Sequence, residues 1–264
     1  NILGSGINLN FHFEKGKDNK SFTFAYYDPC FIDDSPLFRA KVGLGLNVNF
    51  KSKKQCKLSN SYDFSNDMLN NYLYFSFPFL NTNSFDFGFI YERTKLYINS
   101  DFLKSRGIVP YSISHLVRNN GLLFNEYFIN LTLKNNYLNK SIFPTSGFYS
   151  KINLNFSVPN SKLNYYRLEY KLSYYKPVFD NFIFNCIFEL KYGDIYYNSF
   201  YPFFRNYFLG GSDNIRGFFD RSLGPVYNMK KIGKNKYMPL GGNLSFLTRL
   251  CINFPSKFFL ILTH

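Results

Sequence analysis

Tryptophan is missing from this chain, and cysteine, histidine and acidic residues are sparse. The cysteines Cys30, Cys56, Cys186 and Cys251 stand apart, with no Cys-x-x-Cys and no paired spacing. Such scatter argues against a disulfide framework or a zinc site. His12, His115 and His264 are equally dispersed, so no metal and no cofactor are expected. No apolar run approaches the roughly 18 residues that a membrane-crossing helix requires. No nucleophile with a base, acid–base pair or phosphate-cradling glycine loop stands out, so the chain does not read as an enzyme.

Charge of one sign is also scarce. Against 31 Lys and Arg stand 17 Asp and Glu, a net +14. A surplus of that size can mark nucleic acid or an anionic membrane as partner. Here the lysines are spread over strand faces and loops, with no basic arm or helix. The surplus therefore reads as a compositional bias towards Lys, Asn, Phe, Tyr and Ile, and no nucleic-acid partner is expected.

What the chain has in excess is aromatic: 34 Phe and 23 Tyr, 22% of all residues with no Trp among them. That load implies either a large aromatic core or aromatic contact with lipid. Its arrangement is a period of two. In 7–14, Ile7, Leu9, Phe11 and Phe13 share one face, and Asn8, Asn10, His12 and Glu14 the other. The same alternation recurs in 21–27, 40–50, 69–79, 84–98, 123–134, 149–158, 165–175, 181–193 and 241–254. About ten strands and no convincing helix are predicted. Connections alternate between short, mostly Pro-bearing turns and longer polar segments at 51–62, 99–121 and 194–240. A soluble sandwich alternates in the same way, and periodicity alone does not separate it from a barrel. Length, aromatic load and the rhythm of turns and loops favour an antiparallel up-and-down β-barrel in a membrane. A sheet exposed to lipid must pair both its edges, so a barrel of this kind has to close. Neither end of the chain reads as a finished terminus, and we expect an incomplete barrel.

One segment breaks the alternation. FFRNYFLGGSDNIRGF (203–218) carries an aromatic–Asn–aromatic lead, Gly210-Gly211-Ser212, then Ile215-Arg216-Gly217-Phe218, with Gly224-Pro225 beyond. This pattern resembles the sixth-loop signature of the outer-membrane protein assembly superfamily, in its bacterial BamA-like branch. Segments such as NILGSG (1–6), FPTSG (143–147) and KYGD (191–194) extend the similarity over nearly the whole chain. The resemblance implies a barrel of about sixteen strands, of which residues 1–264 would hold about strands three to twelve. On that pattern 194–240 is the long sixth extracellular loop. The periplasmic POTRA domains and the lateral-gate strands lie outside the chain.

The resemblance also implies a function, the folding and insertion of β-barrel proteins into the bacterial outer membrane. The implied partners are outer-membrane lipid, unfolded barrel clients and, through POTRA domains, the BAM lipoproteins. Polypeptide-translocating relatives, including organelle outer-membrane pores, and a passive porin are the alternative readings. In the family the sixth loop folds into the lumen and its arginine is held by acidic groups on the inner wall. A guanidinium stays charged and needs carboxylate partners when buried. Arg216 is thus expected to be the latch, with Gly210, Gly211 and Gly217 permitting a tight path and Phe218 packing beside it. The family's usual glutamate on the twelfth strand is here Cys251. Glu92, Glu126, Glu169 and Glu189 remain as candidate luminal partners.

Overall fold

A computed structural model describes residues 6–16, 19–32, 41–57, 62–79, 82–98, 111–179, 182–197, 201–212, 214–231 and 234–253. Alternating side chains give the backbone one apolar and one polar face, and hairpins stack these strands in chain order. The result is β1 (Asn8–Lys15), β2 (Asn19–Ile32), β3 (Val42–Lys57), β4 (Tyr62–Phe79), β5 (Asn83–Ile98), β6 (Leu123–Asn136), β7 (Gly147–Ser157), β8 (Tyr165–Phe179) and β9 (Phe182–Ile195). The connection after β9 holds a 3-10 turn (Phe203–Arg205) and a separate hairpin, β10 (Val226–Lys231) with β11 (Lys234–Pro239). β12 (Leu244–Asn253) then pairs with β9. All ten strands of the main sheet run antiparallel to their neighbours. Among the described residues β1 and β12 form its two edges, so the barrel is open.

Each predicted strand is present, but two expectations are corrected. Segment 51–62 was read as a connection. Instead β3 runs on to Lys57 and β4 starts at Tyr62, so both strands extend well beyond the alternating stretch. A helix is also present, α1 (Tyr111–Asn120), within the connection from β5 to β6. Its Ile113, Leu116 and Val117 fall at helical spacing and are buried. Gly121, at φ 74°, closes it by donating its N–H to the Val117 carbonyl at 2.8 Å. Lys162 adds donors to the carbonyls of Asn120 (2.8 Å) and Leu123 (2.5 Å), just where the helix dipole is negative.

Register turns the alternation into two continuous surfaces. Leu9, Tyr26, Leu46, Leu73, Phe89, Ile129, Phe156 and Tyr166 are successive cross-strand partners from β1 to β8. This unbroken apolar row is the outer face, and Phe89 on it is 51% exposed. The inner face one residue away is polar. Ser76 donates to Asp86 at 2.6 Å, Tyr72 to Asn130 at 2.7 Å, and Asn130 to Asn153 and Asn155 at 2.5 and 2.7 Å. Apolar side chains out and hydrogen-bonded polar side chains in is the arrangement a lipid solvent demands.

A second inner row alternates by size. Tyr27, Gly45, Tyr74 and Gly88 are cross-strand partners on β2, β3, β4 and β5. The rings of Tyr27 and Tyr74 stack at 6.3 Å over the space that Gly45 leaves. A Cβ on Gly45 would lie 2.0 Å from the Tyr74 ring, so a larger residue there would displace that ring.

Candidate functional site: the luminal loop and its ion cluster

The end of the lumen nearest α1 holds the apolar core. Ile90, Leu96, Leu116, Phe124, Phe128, Leu163 and Tyr165 are buried together, with Tyr201, Phe203 and Phe204 of the long connection packed on them. Directly in this core the register sets two acids face to face. Glu92 of β5 and Glu126 of β6 are cross-strand partners on the inner side, 3% and 0% exposed. Like charges directly opposite in a sheet repel, and burial removes the water that would screen them.

The compensating charge comes from the loop. Pro202 sets the start of the 3-10 turn, and Arg205 at its end reaches into the wall, 7% exposed. Its Nη2 pairs with Glu92 and with Glu126, the latter at 2.8 Å. The same nitrogen donates to Thr94 Oγ1 at 3.3 Å, and Nε donates to the Tyr165 hydroxyl at 3.1 Å. Nη1 lies 3.0 Å from the sulfur of Met68. Asn70 donates to Glu92 at 2.6 Å, and Arg167 stands 3.7 Å from it. One guanidinium thus ties together β4, β5, β6 and β8. Tyr201 lies edge-on to Tyr165 at 5.5 Å, and burial pushes its phenol up to about 12, so it stays neutral.

Beyond Arg205 the loop is held chiefly by backbone. Tyr207 and Gly242 exchange both N–H···O bonds, at 2.8 and 3.0 Å. Leu223 donates to Leu209 at 3.2 Å, and Gly211 to Phe218 at 3.1 Å. Gly210 has φ 107°, and a Cβ there would sit 2.5 Å from the Phe219 carbonyl oxygen, which explains the glycine. From the wall, Arg249 of β12 donates to the Asn214 carbonyl at 2.8 Å.

The motif residues expected to form the latch differ in burial. Gly210 is buried, Gly211 and Ile215 are half-buried, and Ser212, Arg216, Gly217 and Phe218 are exposed. Glu92 and Glu126 come together as luminal partners, but with Arg205 in place of Arg216. Glu169 lines a luminal cavity of about 380 Å³ with Arg167 and Lys151. Glu189 pairs with Lys171 at 3.1 Å and faces the loop across a cavity of about 320 Å³. Cys251 points inward on β12, two places from Arg249. Arg205 was missed because its partners are remote in sequence. The available signal was the pair of inward acids opposed on neighbouring strands, with Arg93 beside them in sequence but on the exposed outer face.

A lipid-facing wall of antiparallel strands around an inward-folded Gly-Gly-Ser and Arg-Gly-Phe loop narrows the choice of family. The Omp85 superfamily domain matches residues 1–260. The chain belongs to the Omp85 superfamily. Among curated proteins it is 24% identical, over 93% of its length, to the outer membrane protein assembly factor BamA of Neisseria meningitidis serogroup B. Among solved structures it resembles BamA from Haemophilus ducreyi lacking POTRA domains 1–3, with a TM-score of 0.79, 21% identity and 97% of the chain covered. The chain spans 31% of the length of the first relative and 49% of the second. This Omp85 wall is a partial β-barrel of the bacterial outer membrane.

Proposed function

We propose that this Omp85 wall works in an assembly factor that folds and inserts β-barrel proteins into the bacterial outer membrane. The observation that carries the reading is the seated loop. A passive pore needs an open lumen, whereas here a buried ion cluster holds the long connection inside one. The wall supplies the lipid-matched outer face. Unfolded barrel proteins are the clients, and BAM lipoproteins engage through POTRA domains outside this chain. An entering strand finds unpaired backbone groups satisfied by pairing with an exposed strand edge as it leaves water. Within this reading Arg216, exposed at the loop tip beside Phe218, latches to acidic groups beyond the described wall.

The test is reconstitution. Liposomes carrying the protein should fold an added outer-membrane barrel client faster than empty liposomes, with no large steady conductance. Equal client folding with and without the protein, or a porin-like steady current, overturns the assembly reading. Arg216→Ala should lower the client yield, and an unchanged yield removes the tip latch while leaving the rest.

A further inference from the structure

The two arginines of the loop occupy opposite situations. Arg216 is exposed. Arg205 is buried and touches four strands. We propose that Arg205 is a positioning residue that seats the root of the loop in the lumen independently of the Arg-Gly-Phe tip. The loop therefore has two separate attachments, a fixed root and a tip that can engage or release without the root leaving the barrel.

Three features carry this. First, Glu92 and Glu126 face each other across one rung and need a cation, while the inward lysine of their own strands, Lys134, is paired with Asp86. Arg167 reaches only Glu92, so Arg205 is the cation that answers Glu126. Second, the root is shaped to deliver it. Pro202 is buried, Phe204 packs 5.1 Å from Phe124, and the turn donates Arg205 N–H to the Pro202 carbonyl at 2.9 Å. Third, the tip meets the wall where the Arg249 guanidinium donates to the Asn214 carbonyl at 2.8 Å, and within the loop Gly211 donates to the Phe218 carbonyl at 3.1 Å. Withdrawing the root would leave two opposed carboxylates buried with a single guanidinium, that of Arg167, which reaches Glu92 alone.

The experiment reads hydrogen exchange in the protein folded in detergent, with no client present, so its result is separate from that of the assembly assay. Heat-modifiable gel mobility first establishes that each variant keeps its barrel. Arg205→Ala should speed exchange of amides in 201–209 by at least about tenfold, because the closed state loses its buried ion pair. Arg216→Ala should leave 201–209 unchanged. The exchange of sites Arg205→Glu with Glu126→Arg should restore protection that Arg205→Glu alone removes, which a mere packing role would not do. Should Arg205→Ala fail to fold, Glu126→Gln takes its place, and it should loosen the same peptide. Protection of 201–209 unchanged in the Arg205 or Glu126 variants, loss of it in Arg216→Ala, or no rescue by the charge exchange overturns the proposal.

Discussion

The inner wall near the short turns carries a rung whose energetics can be worked out. Lys134, Lys151 and Lys171 are successive cross-strand partners on β6, β7 and β8. The outer two are neutralised: Lys134 meets Asp86 at 2.5 Å and Lys171 meets Glu189 at 3.1 Å. Lys151 sits between two like charges, with Glu169 of β8 across the same cavity offsetting part of their repulsion. Each directly opposed like pair costs about 0.2–1 kcal/mol, so the two together cost about 0.4–2 kcal/mol. Lys151→Gln keeps a hydrogen-bonding side chain of similar reach and removes both repulsions. Its urea-unfolding midpoint in detergent micelles should therefore rise, with an unchanged slope. The gain should be larger at about 10 mM salt, where charges interact over about 30 Å, than at 1 M, where the range is about 3 Å. Asp86→Asn should move the midpoint the other way, because it frees Lys134. A lower midpoint for Lys151→Gln at both salt concentrations would refute the assignment of this rung as a site of net repulsion.

Other expectations follow from positions already described. Phe89→Arg, in the middle of the outer apolar row, should destabilise the barrel in lipid vesicles by about 2–4 kcal/mol, while Asn47→Arg on the inner face should cost far less in the same urea titration. Gly210→Ala combines a left-handed backbone with a close carbonyl and should cost about 1–3 kcal/mol, visible as faster hydrogen exchange across 207–223 with the strands unaffected. Lys162→Met removes the ammonium that closes α1, so amides of 111–120 should lose protection by about 0.3–1 kcal/mol.

The sheet was legible because lipid and lumen impose opposite solvents on successive residues, and ten alternating stretches became the ten strands. The limits of β3 and β4 were not, since 51–62 is rich in Lys and Ser and looks like a loop once alternation lapses. Neighbouring strands carry it there by pairing, as Ser52 with Asp67 and Lys53 with Asn66. The helix α1 escaped notice because three apolar residues in ten make too short a period to stand out. Its burial depends on the wall it lands on. Within the candidate site, Glu92 and Glu126 were legible as inward acids. Their cation was not, because the path of the long connection through 201–205 is set by packing of Tyr201, Phe203 and Phe204 on residues far off in sequence.

The tyrosine–glycine row has a consequence for how the strands find one another. Alternation forbids a shift of one residue between neighbours, since that would turn lipid-facing side chains inward, but it is indifferent to a shift of two. Such a shift between β4 and β5 would set Tyr74 against Asp86 or Ile90 where it now lies against Gly88. The same shift between β3 and β4 would set it against Gly43 or Asn47. The rings fit their present hollows and collide with a side chain in most of the others. Tyr27, Tyr74 and the glycines beside them therefore act as alignment keys, rejecting most of the even-numbered misalignments that a repeating pattern of greasy and wet residues leaves open.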